Sequence, residues 1–277
     1  MKTSAAILFL MVMCAMSQVP PRVMDDLMWQ ATKVPAPASG YLNDRTYFKI
    51  VTASNAAPVT ISVTAGTTTT IEWGDGDTTN NVSATVTHTY VTAGSYQMTI
   101  RGGATAFNFN NATSGKLKEI LTPLNGLTNL TTLDYTFYGC TGLTGSIPVL
   151  TNCPLLTSLG SAFLNCSGLT GHYPSLDGLT ALTSIANAFE GVRLNTNTST
   201  VAYIFGAGNF TNLTTANSCF SVASLSYAGL QGTGSDFTNK TFAATFTVGS
   251  ASTNSSYRMF YNQTNITDWS ALGNFWR

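Results

Sequence analysis

Leu133-Asp134-Tyr135-Thr136-Phe137-Tyr138-Gly139-Cys140-Thr141-Gly142-Leu143-Thr144-Gly145 is followed by Leu159-Gly160-Ser161-Ala162-Phe163-Leu164-Asn165-Cys166-Ser167-Gly168-Leu169-Thr170-Gly171, a step of 26 at every matching position. The step continues from Phe163 to Phe189, from Leu159 to Ile185 and from Cys166 to Val192, and Pro148 to Pro174 keeps it too. Ahead of each block runs an apolar ladder in steps of three: Leu124, Leu127, Leu130 and Leu133, then Leu150, Cys153, Leu156 and Leu159, then Leu176, Leu179, Leu182 and Ile185. A fixed period of roughly 20–29 residues with such a ladder marks a leucine-rich solenoid. Each coil would supply a short strand and a return segment, and coils stack because none can bury its apolar side alone.

The repeat loosens downstream. Phe210, Leu213, Ala216 and Phe220 repeat the pattern, but Phe189 to Phe220 is 31 residues, which places an insertion of about five near Asn195–Tyr203. Met259–Trp269 reads as a final unit with Gln263 in the Cys slot and Ile266 in the Leu slot. The solenoid is therefore assigned to 124–277. Residues 104–123, with Phe107, Phe109, Leu117 and Ile120 apolar, are expected to connect it to what precedes and to cap its open first coil.

Residues 47–103 read differently. Phe48–Val51, Val59–Val63, Thr69–Trp73, Ala84–Thr87 and Tyr96–Ile100 alternate apolar with polar, the period of half-buried strands, and Gly and Asn clusters break them. Short strands at this spacing predict a small β-sandwich. Trp73-Gly74-Asp75-Gly76-Asp77 makes a tight turn after a strand, and His88-Thr89-Tyr90 with Ala93-Gly94-Ser95-Tyr96 makes the next corner. Asp in such a turn bonds the backbone two residues on. That reading is adopted for Asp75 and Asp77 over a Ca²⁺ site, which needs more oxygen ligands. His88 is expected to pack at the corner and hydrogen-bond locally. No metal and no cofactor is expected.

Those motifs resemble PKD domains, the immunoglobulin-like sandwiches of surface proteins, and the resemblance implies a spacer or adhesion module without catalysis. The Ala162–Thr170 type of unit and the closing Met259–Trp269 stretch resemble BspA-like leucine-rich repeat surface proteins, in which a Trp-Gly-Asp-Gly sandwich before the coils is a familiar order. That second resemblance implies cell-surface display, adhesion or host contact, and related repeats occur in viral and phage proteins. The fold class expected is thus mainly β, a PKD-like β-sandwich followed by a short leucine-rich-repeat solenoid.

Toward the N-terminus, 1–18 carries Lys2 and an apolar run from Ala5 to Met16, the layout of a signal peptide or of a hydrophobic N-terminal anchor. Residues 19–46, with Pro20, Pro21, Pro35 and Pro37, read as a tether.

Composition narrows function. Lys and Arg number 12 against 12 Asp and Glu, and only 9% of residues are charged, so the clustered positive charge a nucleic-acid partner requires is missing. With 44% apolar residues the chain can bury a core and is not disordered. Polar but uncharged surfaces are common in extracellular and virion proteins. Acids beyond Lys118 are Glu119, Asp134, Asp177, Glu190, Asp236 and Asp268, spaced singly. The carboxylate pair of a glycosidase is not indicated, so no enzyme is expected.

Cys140 and Cys166 should lie about 5 Å apart on adjacent coils, a spacing open to a disulfide or to two buried thiols. Thiols are favoured, because Val192 and Gln263 fill the same slot. Eleven Asn-x-Ser/Thr sequons, at Asn81, Asn111, Asn129, Asn165, Asn197, Asn209, Asn212, Asn239, Asn254, Asn262 and Asn265, are glycan acceptors where the host glycosylates. Tyr135, Tyr138 and Tyr173 are the candidate binding residues, since aromatic rings anchor interfaces and stack on sugars. Packing between coils is the competing role.

The function expected is surface-displayed adhesion or recognition, at a cell, extracellular or virion surface. The alternative is a structural component of a virion or filament, anchored through its N-terminal segment. Partners would be protein or carbohydrate on another surface, or further copies of the chain. Membrane contact would come only through an uncleaved N-terminus.

Overall fold

The computed structural model describes residues 44–109, 113, 115–170, 173–192 and 209–220, together with the backbone of three later residue pairs. The chain divides into Met1–Leu42 and Asn43–Arg277. The N-terminal segment 1–18, nearly all of the tether and the insertion near Asn195–Tyr203 lie outside the described residues.

Strands β1 (Thr46–Thr52), β2 (Ala57–Glu72), β3 (Thr78–Thr79), β4 (Thr85–Tyr90), β5 (Gly94–Phe109) and β6 (Leu117–Ile120) form one antiparallel sheet. The order is β3-β2-β5-β1-β6, with β4 on β2. The first half of β2 pairs with β4 and with the end of β5, and its second half pairs with β3 and with the middle of β5. β1 pairs with the start of β5 on one side and with β6 on the other.

The expected sandwich is reached by bending two long strands. Phe48 pairs with Met98, and Phe109 lies 11 residues further along β5, about 36 Å away if the strand ran straight. The Phe48 and Phe109 rings are nevertheless 5.3 Å apart, so β5 folds back over the core. The bend sits where Ala65 pairs with Ala104 and Thr69 with Gly102, leaving residues 66–68 of β2 opposite Gly103. Ala65-Gly66 reads in sequence as a break between two strands; here it opens a bulge within one. A bulge of this kind turns the strand without ending the ladder. Phe48, Ile50, Val59, Ile61, Ile71, Trp73, Met98, Ile100 and Phe107 line the core between the two halves.

The boundary expected at 103 is not a break either. β5 runs through it to Phe109, and β6 adds to β1, so residues 104–109 and 117–120 complete the sheet. They also lead into the repeat. Thr131 and Thr144 donate their backbone N–H to the carbonyls of Thr105 and Lys118, at 2.9 and 2.8 Å. One apolar core continues from Phe48 through Leu117 into Leu124 and onward to Phe220. After a 3-10 turn at Asn125–Leu127 the repeating units begin.

Units are joined by a regular set of bonds. Leu133, Tyr135, Phe137 and Gly139 donate to the carbonyls of Ser158, Gly160, Ala162 and Leu164 on the next unit, and Leu159, Ser161, Phe163 and Asn165 do the same to Ser184, Ala186, Ala188 and Glu190. The residues between them bond within their own unit, as Thr136 to Leu133, Tyr138 to Tyr135 and Cys140 to Phe137. This alternation explains a difference from the expected strand in each coil. Between Leu130 and Val192 of the described residues the units meet in single parallel bridges, as Thr132 to Ser158, Ser158 to Ser184 and Gly145 to Leu169, because every second N–H closes a local turn.

Inside the stack, Phe137, Phe163, Phe189 and Phe220 lie face to face at 4.9, 5.9 and 5.5 Å. Phe109 of β5 starts the column, 5.9 Å from Phe137. On the surface, Thr131, Thr157, Thr183 and Thr214 each donate a hydroxyl to the carbonyl of Thr105, Thr131, Thr157 and Thr183 in turn. Beyond the insertion, β7 (Asn209–Phe210) pairs in parallel with β9 (Thr241–Phe242), and β8 (Gly232–Thr233) with β10 (Ile266–Thr267).

Cys140, Cys153, Cys166 and Cys219 are free and buried. Cys166 Sγ donates to the Phe137 carbonyl at 2.8 Å. Burial pushes the Cys140 and Cys153 thiols up to about 12, so they stay protonated and unreactive at neutral pH.

Candidate functional site

Two surfaces gather the chemistry-bearing residues: the corner after β2 and the outer edge of the first repeat unit. At the corner, Gly74 takes a φ of +88°, and a Cβ there would lie 2.5 Å from the Gln97 carbonyl oxygen, so only glycine lets the turn press on β5. Trp73 N–H closes the turn on Asp77 O at 2.9 Å, and the Asp77 N–H donates to Asp75 Oδ1 at 3.1 Å. Asp75 Oδ2 lies 2.7 Å from His88 Nε2, while Asp77 Oδ2 is 3.9 Å from His88 Nδ1. The His88 ring stacks on Trp73 at 4.8 Å and meets the edge of Tyr90 at 4.7 Å. Tyr90 in turn stacks on Tyr96 at 4.1 Å, and its hydroxyl donates to the Trp73 carbonyl at 2.7 Å.

Asp75, Asp77 and His88 thus bring one ligand atom each to within 4.8 Å of one another. Both Asp75 oxygens already serve the corner. The set offers two carboxylates and one imidazole, short of the six to eight oxygens Ca²⁺ takes. The two ring nitrogens of His88 face the Asp75 and Asp77 carboxylates. The arrangement ties the β2 turn to β4.

Two predictions follow from this geometry. Tyr90→Phe leaves the buried Trp73 carbonyl without its donor and should cost about 1–3 kcal/mol, read by chemical denaturation. Burial alone would raise the Asp75 carboxyl, but the His88 hydrogen bond, the Asp77 N–H and the His88 charge outweigh it and hold Asp75 below 3.8. A carboxyl lowered in the folded state contributes stability above its unfolded pKa, and that contribution is lost as pH falls through the folded value. Melting temperatures of the parent and Asp75→Asn should therefore differ above about pH 4 and converge in stronger acid.

At the second surface, Tyr135 is 60% exposed and Tyr138 37%, with ring centroids 6.1 Å apart and planes at 80°. Tyr173 is not with them. It is buried edge-on against Phe189 and Phe220, at 5.4 and 5.3 Å, which removes it from the binding candidates. The reason was present in the period: Tyr173 stands 26 residues after the buried Ile147 and fills the same inward slot.

Of the sequons, Asn81, Asn129, Asn165 and Asn212 are exposed. Asn209 lies in β7, and Asn111, Asn197, Asn239, Asn254, Asn262 and Asn265 lie outside the described residues.

Residues 48–114 match the family model of the PKD domain. The match takes in most of β1, β2 to β5 and the whole Trp73–His88–Tyr90–Tyr96 cluster, and it stops before the repeat units. This segment is a PKD-like, immunoglobulin-like module, a type of domain usually found in extracellular proteins as an adhesion or spacer unit. No curated protein and no solved structure gives a significant match.

Proposed function

We propose that this chain is a non-enzymatic, surface-displayed adhesion or recognition protein. The PKD-like module serves as the spacer, and a short BspA-like leucine-rich-repeat solenoid of about 26-residue coils presents the contact surface. The observation that carries this reading is the junction. A module of an extracellular type hands its strand β5 directly to the first repeat unit, through the Thr105–Thr131 bond and the Phe109–Phe137 stack. A spacer rigidly continuous with a stack of units holds one face of that stack outward. Partners are protein or carbohydrate on an opposing surface. Exposed Asn81, Asn129, Asn165 and Asn212 are available to glycan transfer in a host that glycosylates.

Mass spectrometry of the chain from its source tests the reading. A mature N-terminus beginning after about residue 15–18, together with antibody access on intact cells, supports a secreted surface protein. An intact N-terminus in purified particles at fixed stoichiometry would establish the second reading, a virion or filament component anchored through 1–18.

A further inference from the structure

Tyr135 occupies its position at a conformational cost that packing does not repay. Its φ is +57°, and the same slot one and two units on holds Ser161 and Asn187, with φ of 53° for each. Asn tolerates the left-handed region far better than Tyr, whose Cβ crowds the carbonyl there. The architecture therefore does not require an aromatic ring at this point, and the ring projects into solvent. A strained residue of this kind points to use rather than to stability.

Its surroundings are rigid. Tyr135 N–H is bonded to Gly160 O at 3.0 Å, and the intervening Thr136 is tied to β5 from both directions, accepting from Phe109 N–H at 3.0 Å and donating its hydroxyl to Phe107 O at 2.8 Å. Asp134, the residue before Tyr135 in the chain, accepts at Oδ1 from Ser158 Oγ and from Gly160 N–H at 2.5 and 2.6 Å. Those bonds fix the carboxylate and leave Oδ2 without a protein donor among the described residues. The site therefore offers an exposed aromatic face, a second ring set across its edge and one oriented acceptor.

We propose that Tyr135, Tyr138 and Asp134 form a subsite for a neutral saccharide, which rests on the adhesion reading above and names its ligand class. The C–H face of a pyranose stacks on a tyrosine ring while one of its hydroxyls donates to Asp134 Oδ2. A protein partner fits less well. The other large apolar side chains exposed among the described residues are Val91 and Leu155, too few for the apolar centre of a protein interface. The sparse charge, 9% of residues, suits an uncharged ligand.

The test uses the full chain over immobilised neutral oligosaccharides of glucose, galactose, mannose and N-acetylglucosamine, with choline as a cationic competitor. The parent should hold at least one saccharide, and Tyr138→Ala and Tyr135→Asn should weaken it roughly tenfold or more, the scale of an anchor side chain. Tyr135→Asn should melt at or above the parent temperature, since Asn suits the backbone, so lost binding cannot be misfolding. Asp134→Asn keeps the Oδ1 acceptor for Gly160 but turns the second oxygen into a donor, and should also weaken binding. Retention by none of the saccharides, variants that bind like the parent, or displacement by choline, which would mark a cation cage, each overturns the proposal. A mature, surface-exposed chain that binds no saccharide sinks this subsite alone. Saccharide binding by a chain kept intact in particles sinks the adhesin reading and leaves the subsite standing.

Discussion

Phe163→Ala is expected to destabilise the protein by about 3–5 kcal/mol, the largest loss from any single side chain in the repeat. The ring is fully buried and lies flat between Phe137 at 4.9 Å and Phe189 at 5.9 Å. Truncation removes its transfer free energy and opens a cavity in the middle of a column. The backbone around it is held to the next unit through Phe163 N–H to Ala188 O at 2.8 Å, so the walls cannot readily close. Thermal and urea unfolding of parent and variant measure the effect. A variant that melts with the parent would show that the units are not stacked in this register.

Gly102→Ala should have the next largest effect, and for a different reason. Gly102 has a φ of +110°, and a Cβ there would stand 2.2 Å from the backbone oxygen of Thr68. Strain in that region costs of order 1–3 kcal/mol before the clash is relieved. Relief means moving the bulge at residues 66–68, and with it the bend that brings Phe109 back over Phe48. The expected result is a loss of about 1–3 kcal/mol or more, accompanied by exchange of the β5 amides near the bend. Unchanged stability in Gly102→Ala would mean that β2 and β5 do not turn here. Gly66→Ala is the control, because a Cβ there meets only the Thr105 methyl at an ordinary 3.6 Å.

The parts that were readable in advance share a physical basis. Translational repetition writes one environment at each step, so Phe137, Phe163 and Phe189 announce a column without any knowledge of contacts. The Trp-Gly-Asp-Gly and His-Thr-Tyr corner was readable because turn chemistry is local: Asp75 bonds two residues along the chain, and Gly74 supplies a φ that other residues avoid. Tyr173 belongs with these. Its slot is that of Ile147, and periodicity had already assigned it inward.

What lay beyond reach depended on distant partners. The pairing of Ala65 with Ala104 turns a Gly that looks like a strand break into a bulge, and that depends on a strand 39 residues away. Likewise Ala104–Phe109 alternates like a loose connector, yet Thr105 donates its hydroxyl to the Thr64 carbonyl of β2 on one side and accepts at its carbonyl from Thr131 on the other.

The linear chain alone settled the period, the inward face of each unit and the turn at the corner of the PKD-like module, because these follow from spacing and from the conformational limits of Gly and Asp. Three-dimensional packing decided that the module and the repeat share one core, that the units are joined by alternating bonds rather than by full strands, and that Tyr135 and Tyr138 face solvent. Those outcomes turn on which backbone groups and rings meet across 26 or more residues, and no local propensity encodes such a meeting.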